Sequence, residues 1–312
     1  MISLVMATYN GGKFLREQLD SIYNQTLPPD EVIVVDDCST DNTVEILEEY
    51  KQRYCLKYII NKVNMGVNKN FERAISLAQG DYICISDQDD VWLPTKIEVS
   101  FNKLIEIENN KPACVSSGRK DVSSDLRVLY PNMKYRHDGS WQDPLYRDSS
   151  QGCTLMFNKK LKNIILPLCP YFIYDAYIGT LACFVGNRHT IGEPLMYYRH
   201  HGNNVVAHSI NKYHKGLTSA MSLYKIMRSR QKLYMLSYFK DNCSKFIVDS
   251  ASMKLLDETI NYYSFKNDFQ MCVNVCCNKY VTIIEKIYFI MFYFITLFNK
   301  KRQVNAFPSP YK

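Results

Sequence analysis

GDYICISDQDDVWLPTKIE, residues 80–98, holds the pattern that decides the fold. Its first part, Asp81–Ser86, is a short apolar run typical of a strand that is buried on both faces. Four polar residues, Asp87, Gln88, Asp89 and Asp90, follow directly. A helical spacing of apolar residues then begins at Pro94. Because ligands of an open parallel sheet bind beyond the carboxyl ends of its strands, this stretch predicts a binding site at the end of a strand.

The same alternation runs through the hundred residues at the start of the chain. Apolar runs that predict strands lie at Ile2–Ala7, Glu31–Val35 and Lys57–Ile60. Helical periods separate them, and we expect Ser39 or Thr40 to cap the second helix. Strands that alternate with helices in this way predict an α/β fold with a mixed, mostly parallel sheet flanked by helices.

A second pair of acids, Asp36 and Asp37, follows the run EVIVV directly. Carboxylates gathered at two strand ends would repel each other and any phosphate, and a hard divalent cation removes that conflict by binding both kinds of oxygen. Neither GxGxxG after the first strand nor GxxxxGK[ST] occurs, so a glycine-rich phosphate loop is not expected. The alternative for either cluster is a solvated turn whose Asp residues cap a helix.

Beyond residue 100 the pattern becomes less regular, and it changes again near Asn204. We expect a catalytic domain over residues 1–204, with a donor-binding half (1–100) and an acceptor half (101–204) that includes short strands at Ala113–Ser116 and Thr154–Phe157. Residues 205–312 contain few Gly or Pro, and their pattern predicts a helical C-terminal region.

Composition excludes several classes of protein. The chain has 312 residues, 46% hydrophobic and 22% charged, which is typical of a globular protein rather than a disordered one. Its formal net charge of +7 is not concentrated in a dense Lys/Arg run, so nucleic acid is not an expected partner. Eleven Cys without paired CxxC spacing indicate reduced thiols. We also expect no signal peptide and a cytoplasmic location.

Several segments together resemble the family 2 glycosyltransferases, which have the GT-A fold. They are SLVMATYNGGKFLREQLDSIYNQT (3–26), EVIVVDDCSTDNT (31–43), NMGVNKNFERAI (64–75) and residues 80–98 quoted above. DQDDVW, YDAYIG (174–179) and YYRHHGNNVV (197–206) are similar to the rhamnosyltransferase-like branch of that family. The resemblance covers roughly residues 1–206 and leaves out the C-terminal third.

The resemblance implies a donor site for a nucleoside-diphosphate sugar. Tyr9 would flank the base, Asp37 would hydrogen-bond the pyrimidine ring, and Ala7 would contribute backbone contacts. Asp87 would contact the ribose or the metal shell, with Gln88 beside it. The remaining donor-site positions that it implies are Asn70, behind the site, and Arg199, over the diphosphate. For Tyr9, a place in the core is the alternative.

The resemblance also implies a metal and a base. Mg²⁺ or Mn²⁺ would be held by Asp89 and Asp87, the DXD pair, with His201 as a further ligand. Asp175 would be the general base at the acceptor site, although Tyr174 and Ala176 differ from the usual neighbours of that acid. The alternatives are a helix-start carboxylate for Asp175 and a surface loop for His201.

The expected function is an inverting, metal-dependent transfer of a sugar, with dTDP-L-rhamnose favoured as the donor, in the synthesis of a surface polysaccharide, O-antigen or capsule. A UDP-hexose such as UDP-Glc, UDP-Gal or UDP-GlcNAc is the alternative donor. The expected acceptor is an oligosaccharide linked to polyprenyl diphosphate. A nucleotidyltransferase would need a glycine-rich, basic first loop that ATYNGGKF lacks. An inactive sugar-nucleotide-binding protein would have lost the acids that this chain retains.

An apolar run, IYFIMFYFITLF (287–298), stands near the C-terminus and is followed by Lys300, Lys301 and Arg302. It is too short to span a bilayer comfortably. Two kinds of burial are open for the segment from about Tyr280 to Arg302. It can pack in the core or at a homodimer interface, or it can lie on the membrane surface with its basic residues against anionic headgroups.

Overall fold

The computed structural model describes residues 1–129, 151–202, 231–247, 249–264 and 268–277, together with residues 286, 289 and 290. These residues belong to two compact units. The first contains residues 1–129 and 151–202, and the second contains those from 231 onward. The predicted boundary at residue 204 lies outside the described residues and stays a prediction.

The first unit is built on an eight-stranded sheet in the order β3-β2-β1-β4-β7-β6-β8-β5. Its members are β1 (Ile2–Thr8), β2 (Glu31–Asp36), β3 (Lys57–Ile60), β4 (Tyr82–Ser86), β5 (Val91–Trp92), β6 (Ala113–Val122), β7 (Leu155–Asn158) and β8 (Asn187–Arg199). The first four strands pair in parallel, β7 is antiparallel to β4 and β6, β6 and β8 are parallel, and β5 is antiparallel to β8. The predicted mixed, mostly parallel sheet is confirmed.

Helices flank this sheet: α1 (Leu15–Tyr23), α2 (Thr43–Tyr54), α3 (Val67–Leu77), α4 (Lys96–Glu108), α5 (Lys159–Ile165) and α6 (Tyr174–Val185). Their apolar stripes are buried, as Leu15, Leu19 and Ile22 of α1 show. In β1, Leu4 and Met6 are fully buried. This core fixes the carboxyl ends of β1, β2 and β4 along one edge of the sheet.

Two features of this unit depart from the sequence interpretation. The cap of α2 is Asn42, without a side-chain bond, whereas the Ser39 hydroxyl donates to Asp36 Oδ2 at 2.5 Å, so the predicted Ser39 or Thr40 cap is wrong. The long strand β8 was not predicted because its first half is polar and carries no apolar alternation. Only its pairing with the distant strand β6 makes it a strand.

The described part of the second unit is helical, as predicted: α7 (Gln231–Cys243), α8 (Ser250–Tyr263) and α9 (Asp268–Cys277). Within the described residues, no helix is both long enough and apolar enough to cross a membrane. The predicted segment 280–302 lies outside the described residues except at 286, 289 and 290. Of these, Phe289 is fully buried.

Candidate functional site

The polar loops after β1 and β4 meet at the carboxyl edge of the sheet, because Met6 of β1 pairs with Ser86 of β4. Gln88 ties these loops together. Its Oε1 accepts a hydrogen bond from the Tyr9 backbone N–H at 2.9 Å, and its Nε2 donates to the Tyr9 carbonyl at 3.1 Å. The Tyr9 ring is therefore held at the edge by its backbone, with 48% of its surface exposed. Exposure of this size argues against a place in the core, and half-buried Ala7 lies just before it in β1.

At the end of β2, the two acids are both buried and are both supplied with donors. Asp36 accepts from the hydroxyls of Thr8 and Ser39 and from the Ser39 N–H. Asp37 accepts from Asn61 Nδ2, Met65 N and Gly66 N, each at 2.8 Å. Gly66 has a φ of +80°, a conformation that glycine adopts without strain. Three donors leave about one of the four acceptor positions of the Asp37 carboxylate for a ligand.

Asn70 lies beneath Asp37 on α3. Its Nδ2 donates to the Val35 carbonyl at 2.9 Å, and its Oδ1 accepts from Asn61, whose own amide also donates to Asp37. Only 2% of its surface is exposed. Asn70 therefore supports Asp37 through Asn61, and its predicted place behind a donor site stays a prediction.

The acids at the end of β4 differ from those at the end of β2, because few hydrogen-bond donors surround them. Asp87, Asp90 and the buried Cys153 each place one ligand atom within 4.8 Å of the others. Loss of solvent, followed by repulsion from Asp89 and Asp175, raises the pKa of Asp87 to about 7. Burial also raises the pKa of Asp90 well above its usual range. Asp90 Oδ1 accepts from the Arg199 backbone N–H, whereas its Oδ2 is buried without a hydrogen-bond partner in the part of the chain described.

Asp89 contacts His201. Its Oδ2 lies 2.7 Å from His201 Nε2, and both side chains are mostly buried. The His201 ring packs on Phe14 with centroids 4.9 Å apart. The structure therefore brings Asp89 and His201 together, and their role as metal ligands stays a prediction.

Arg199 is engaged by protein groups. Its guanidinium donates to the carbonyls of Asp89 and Ser124 and forms an ion pair with Glu17 at 2.7 Å. Its side chain is 2% exposed. The predicted contact with a diphosphate stays a prediction, and the observed partners fasten the loop that carries Asp89.

Asp175 lies in the first turn of α6, where the helix dipole favours a negative charge. Its carboxylate accepts from the Gly152 N–H at 3.1 Å and from the Ala176 N–H at 2.6 Å. Its charge reaches Asp87, whose pKa it helps to raise. Gly152 is required here, since a Cβ would lie 1.7 Å from the Tyr174 hydroxyl. Asp175 therefore lies close enough to Asp87 for their charges to interact, and its role as the base stays a prediction.

Sequence reasoning missed two residues that share this site, Cys153 and Arg119. Both are buried, and both favour the charged form of Asp87: Cys153 through its thiol and Arg119 through its positive charge. Arg119 also lies over the Tyr198 ring at 3.9 Å and forms an ion pair with Asp121 at 3.1 Å. No motif marks either residue, because each reaches the site through the pairing of β6 and β7 with distant strands.

The donor set at the end of β4 fits a hard divalent cation. Carboxylate oxygens are the ligands that Mg²⁺ and Mn²⁺ prefer, and a cation would relieve the repulsion that raises the pKa of Asp87. Asp90 Oδ2, which has no hydrogen-bond partner among the described residues, is a further carboxylate oxygen at this place. Within the described residues, the predicted ligands fall into two neighbouring groups, Asp87 with Asp90 and Cys153, and Asp89 with His201.

The chain is similar in sequence to known proteins. Residues 3–165 match the family described as Glycosyl transferase family 2. A relative from Shigella flexneri, named dTDP-rhamnosyl transferase RfbG, is 32% identical over 231 residues, which are 66% of this chain and 75% of the relative.

Two solved structures share the fold. S. aureus TarS 1–349 in complex with UDP-GlcNAc superposes with a TM-score of 0.59 at 19% identity, over 93% of this chain and 78% of that one. The mannosyltransferase PcManGT from Pyrobaculum calidifontis, in complex with GDP-Man and Mn²⁺, superposes with a TM-score of 0.55 at 15% identity, over 95% and 80% of the two chains. These similarities establish a GT-A glycosyltransferase fold for the chain.

Proposed function

Because the chain belongs to glycosyl transferase family 2, we propose that it moves a sugar from a nucleoside-diphosphate donor, with dTDP-L-rhamnose favoured, to a glycan acceptor in the synthesis of a surface polysaccharide. The observation that carries the proposal is the cluster of mutually repelling acids at the end of β4, close to Asp175. The 32% identity to a protein named as a dTDP-rhamnosyl transferase supports the choice of donor.

The nucleotide binds, in this proposal, at the ends of β1 and β2. Tyr9 is exposed and flanks the base, and Ala7 offers its backbone. Asp37 uses its remaining acceptor position for the pyrimidine N–H. Gln88 holds Tyr9 in place through the paired hydrogen bonds at 2.9 and 3.1 Å. A purine would have to fit between the same loops, so dTDP and UDP should bind better than GDP or ADP.

The chemistry is a displacement with inversion at the anomeric carbon. Asp87, Asp89 and His201 would hold Mg²⁺ or Mn²⁺, which neutralises charge on a departing diphosphate when it is bound. Asp175 takes the proton from the acceptor hydroxyl at one of its carboxylate oxygens. Two backbone N–H groups fix the orientation of that carboxylate.

A panel of sugar nucleotides tests the proposal. The full chain is incubated with Mn²⁺, a polyprenyl-diphosphate-linked acceptor and either dTDP-L-rhamnose, UDP-Glc, UDP-Gal, UDP-GlcNAc or GDP-Man. Nucleoside diphosphate release and the mass of the product are followed. We expect transfer from dTDP-L-rhamnose that is lost in excess chelator. Transfer from a UDP-hexose alone would show that the donor is a UDP-hexose and not dTDP-L-rhamnose. Full activity in chelator would contradict the proposed metal dependence.

We also propose that the run 287–298, with Lys300, Lys301 and Arg302 after it, brings the chain to a membrane surface where such acceptors are found. Sedimentation with vesicles that contain anionic lipid compares the full chain with a variant in which these three cations are replaced by Gln. We expect the wild type to sediment and the variant to stay in solution. If both stay in solution, the run is buried within the protein.

A further inference from the structure

Arg199 stands at a junction of three parts of the first unit. Its Nε donates to the Asp89 carbonyl at 2.9 Å, one terminal nitrogen donates to the Ser124 carbonyl at 2.5 Å, and the other meets Glu17 Oε2 at 2.7 Å. The guanidinium lies over the Phe14 ring, 4.5 Å from its centroid. One side chain at the end of β8 therefore joins α1, the loop after β4 and the loop after β6.

Arg199 holds the acidic loop at two points. The guanidinium holds the Asp89 carbonyl, and the Arg199 backbone N–H holds Asp90 Oδ1 at 3.0 Å. His201, two residues further along, meets Asp89 Oδ2 at 2.7 Å. Because Phe14 packs against both Arg199 and His201, the ring, the cation and the imidazole form one packed layer behind Asp89.

A cation that is 98% buried needs a charged partner, since an isolated buried charge is costly. Glu17 is a charged partner of this kind, and its own side chain lies at the surface with 53% of its area exposed. Removal of the Glu17 charge takes this ion pair away from the guanidinium, and we expect the contact of Arg199 with the Asp89 carbonyl to loosen as a result. Glu17 itself is an exposed helix position that tolerates substitution.

We infer that Glu17 is a positioning residue of the site, which acts through Arg199 to fix Asp89 and His201 as a pair. The inference rests on the proposed function, since it concerns the metal that Asp89 and His201 would hold. It assigns to Arg199 a role behind the acidic loop in place of the predicted contact with the diphosphate. Glu17 itself touches neither the donor nor the metal.

A control is available in a second Arg–Glu pair that involves α1. Glu49 of α2 pairs with Arg16 of α1 at 2.7 Å, the same distance, but both side chains are about half exposed. Glu17→Gln and Glu49→Gln therefore remove the same charge, one from a pair with a buried arginine and one from an exposed pair. Mn²⁺ affinity is measured by electron paramagnetic resonance with saturating dTDP, repeated with UDP.

We expect Glu17→Gln to weaken Mn²⁺ binding by roughly 10- to 100-fold, the range for groups that orient metal ligands. Glu49→Gln should stay within about twofold of the wild type. Arg199→Lys, which keeps the charge but loses the fork that reaches three acceptors, should weaken Mn²⁺ binding as Glu17→Gln does. Circular dichroism confirms that each variant is folded.

Three results would overturn the inference. If Glu17→Gln and Glu49→Gln bind Mn²⁺ alike while the wild type transfers sugar, Glu17 has no positioning role and the proposed function stands. If Arg199→Lys loses dTDP affinity in excess chelator and keeps its Mn²⁺ affinity, Arg199 contacts the diphosphate directly. If the wild type neither binds Mn²⁺ nor transfers sugar, the proposed metal and the inference fail together.

Discussion

The ends of β2 and β4 carry similar letters, VVDD and SDQDD, yet the fold treats their acids in opposite ways. Asp36 and Asp37 accept six hydrogen bonds from neighbouring side chains and N–H groups. Asp87 and Asp90 are crowded by each other and by Asp89. The first pair is neutralised by the protein, whereas the second leaves negative charge for something else to neutralise.

This difference indicates which acids support the structure of the site and which ones take part in its function. Donors around Asp36 and Asp37 come from the last residue of β1 and from the loops after β2 and β3, so these carboxylates hold the strand ends together. The acids after β4 face one another, Cys153 and Asp175. Substitution of Asp36 should therefore cost stability, and substitution of the acids after β4 should cost function.

The largest effect is expected at Asp175, the proposed general base. Asp175→Asn should lower turnover by roughly 10²- to 10⁴-fold, the range for loss of a general base, because an amide cannot take the proton. Donor affinity by calorimetry should hardly change. Asp125→Asn, on an exposed loop, is the matched control. Loss of donor binding with turnover retained would show that Asp175 is misassigned.

Asp89→Asn should come next, with Mn²⁺ affinity lowered more than roughly 100-fold, since loss of a ligand should exceed the loss of a group that only orients one. Calorimetric titration with Mn²⁺ in the presence of dTDP measures it. Asp36→Asn makes the same change at the end of β2 and should leave Mn²⁺ affinity near that of the wild type. Equal losses in both variants would erase the proposed distinction between the two strand ends.

Stability should change in opposite directions at the two ends. Asp36→Asn should lower the free energy of unfolding by about 1–3 kcal/mol, because donors that face a buried carboxylate lose their partner. Asp90→Asn should leave the metal-free protein as stable or make it more stable, since it replaces a carboxyl group whose charged form is disfavoured by burial and by neighbouring acids. Urea unfolding in chelator measures both. A large loss of stability in Asp90→Asn would mean that its charge is compensated.

The smallest effect, taken per pH unit, is expected in the pH dependence of stability without metal. The folded state holds the proton of Asp87 up to about pH 7, whereas an ordinary Asp releases it near 3.8. The folded state therefore binds more protons between about pH 4 and 7, and its stability falls as pH rises through that window, by no more than about 1.4 kcal/mol per pH unit. Asp87→Asn should flatten this part of the curve. Parallel curves for the two proteins would contradict the raised pKa.

Much of the first unit could be predicted from the sequence, because its strands are continuous apolar runs and its helices are amphipathic. The predicted runs at Ile2–Ala7, Glu31–Val35 and Lys57–Ile60 lie within one residue of the observed strands. The helix α6 could not be predicted in the same way, since nearly all of its residues are buried and no polar face gives it a period. Strand β8 depends on its distant partner β6.

The sequence by itself determined the fold class, the family and the places where acids follow strands, because these depend on local periodicity and on short ordered motifs. Only the tertiary structure decided what each acid meets. It gave Asp36 and Asp37 their donors, put Cys153 beside Asp87, and turned Arg199 inward onto Asp89 and Glu17. Hydrogen bonds and charge interactions act over a few ångströms in space, and residues separated by more than a hundred positions in the chain reach that range only after the sheet has formed.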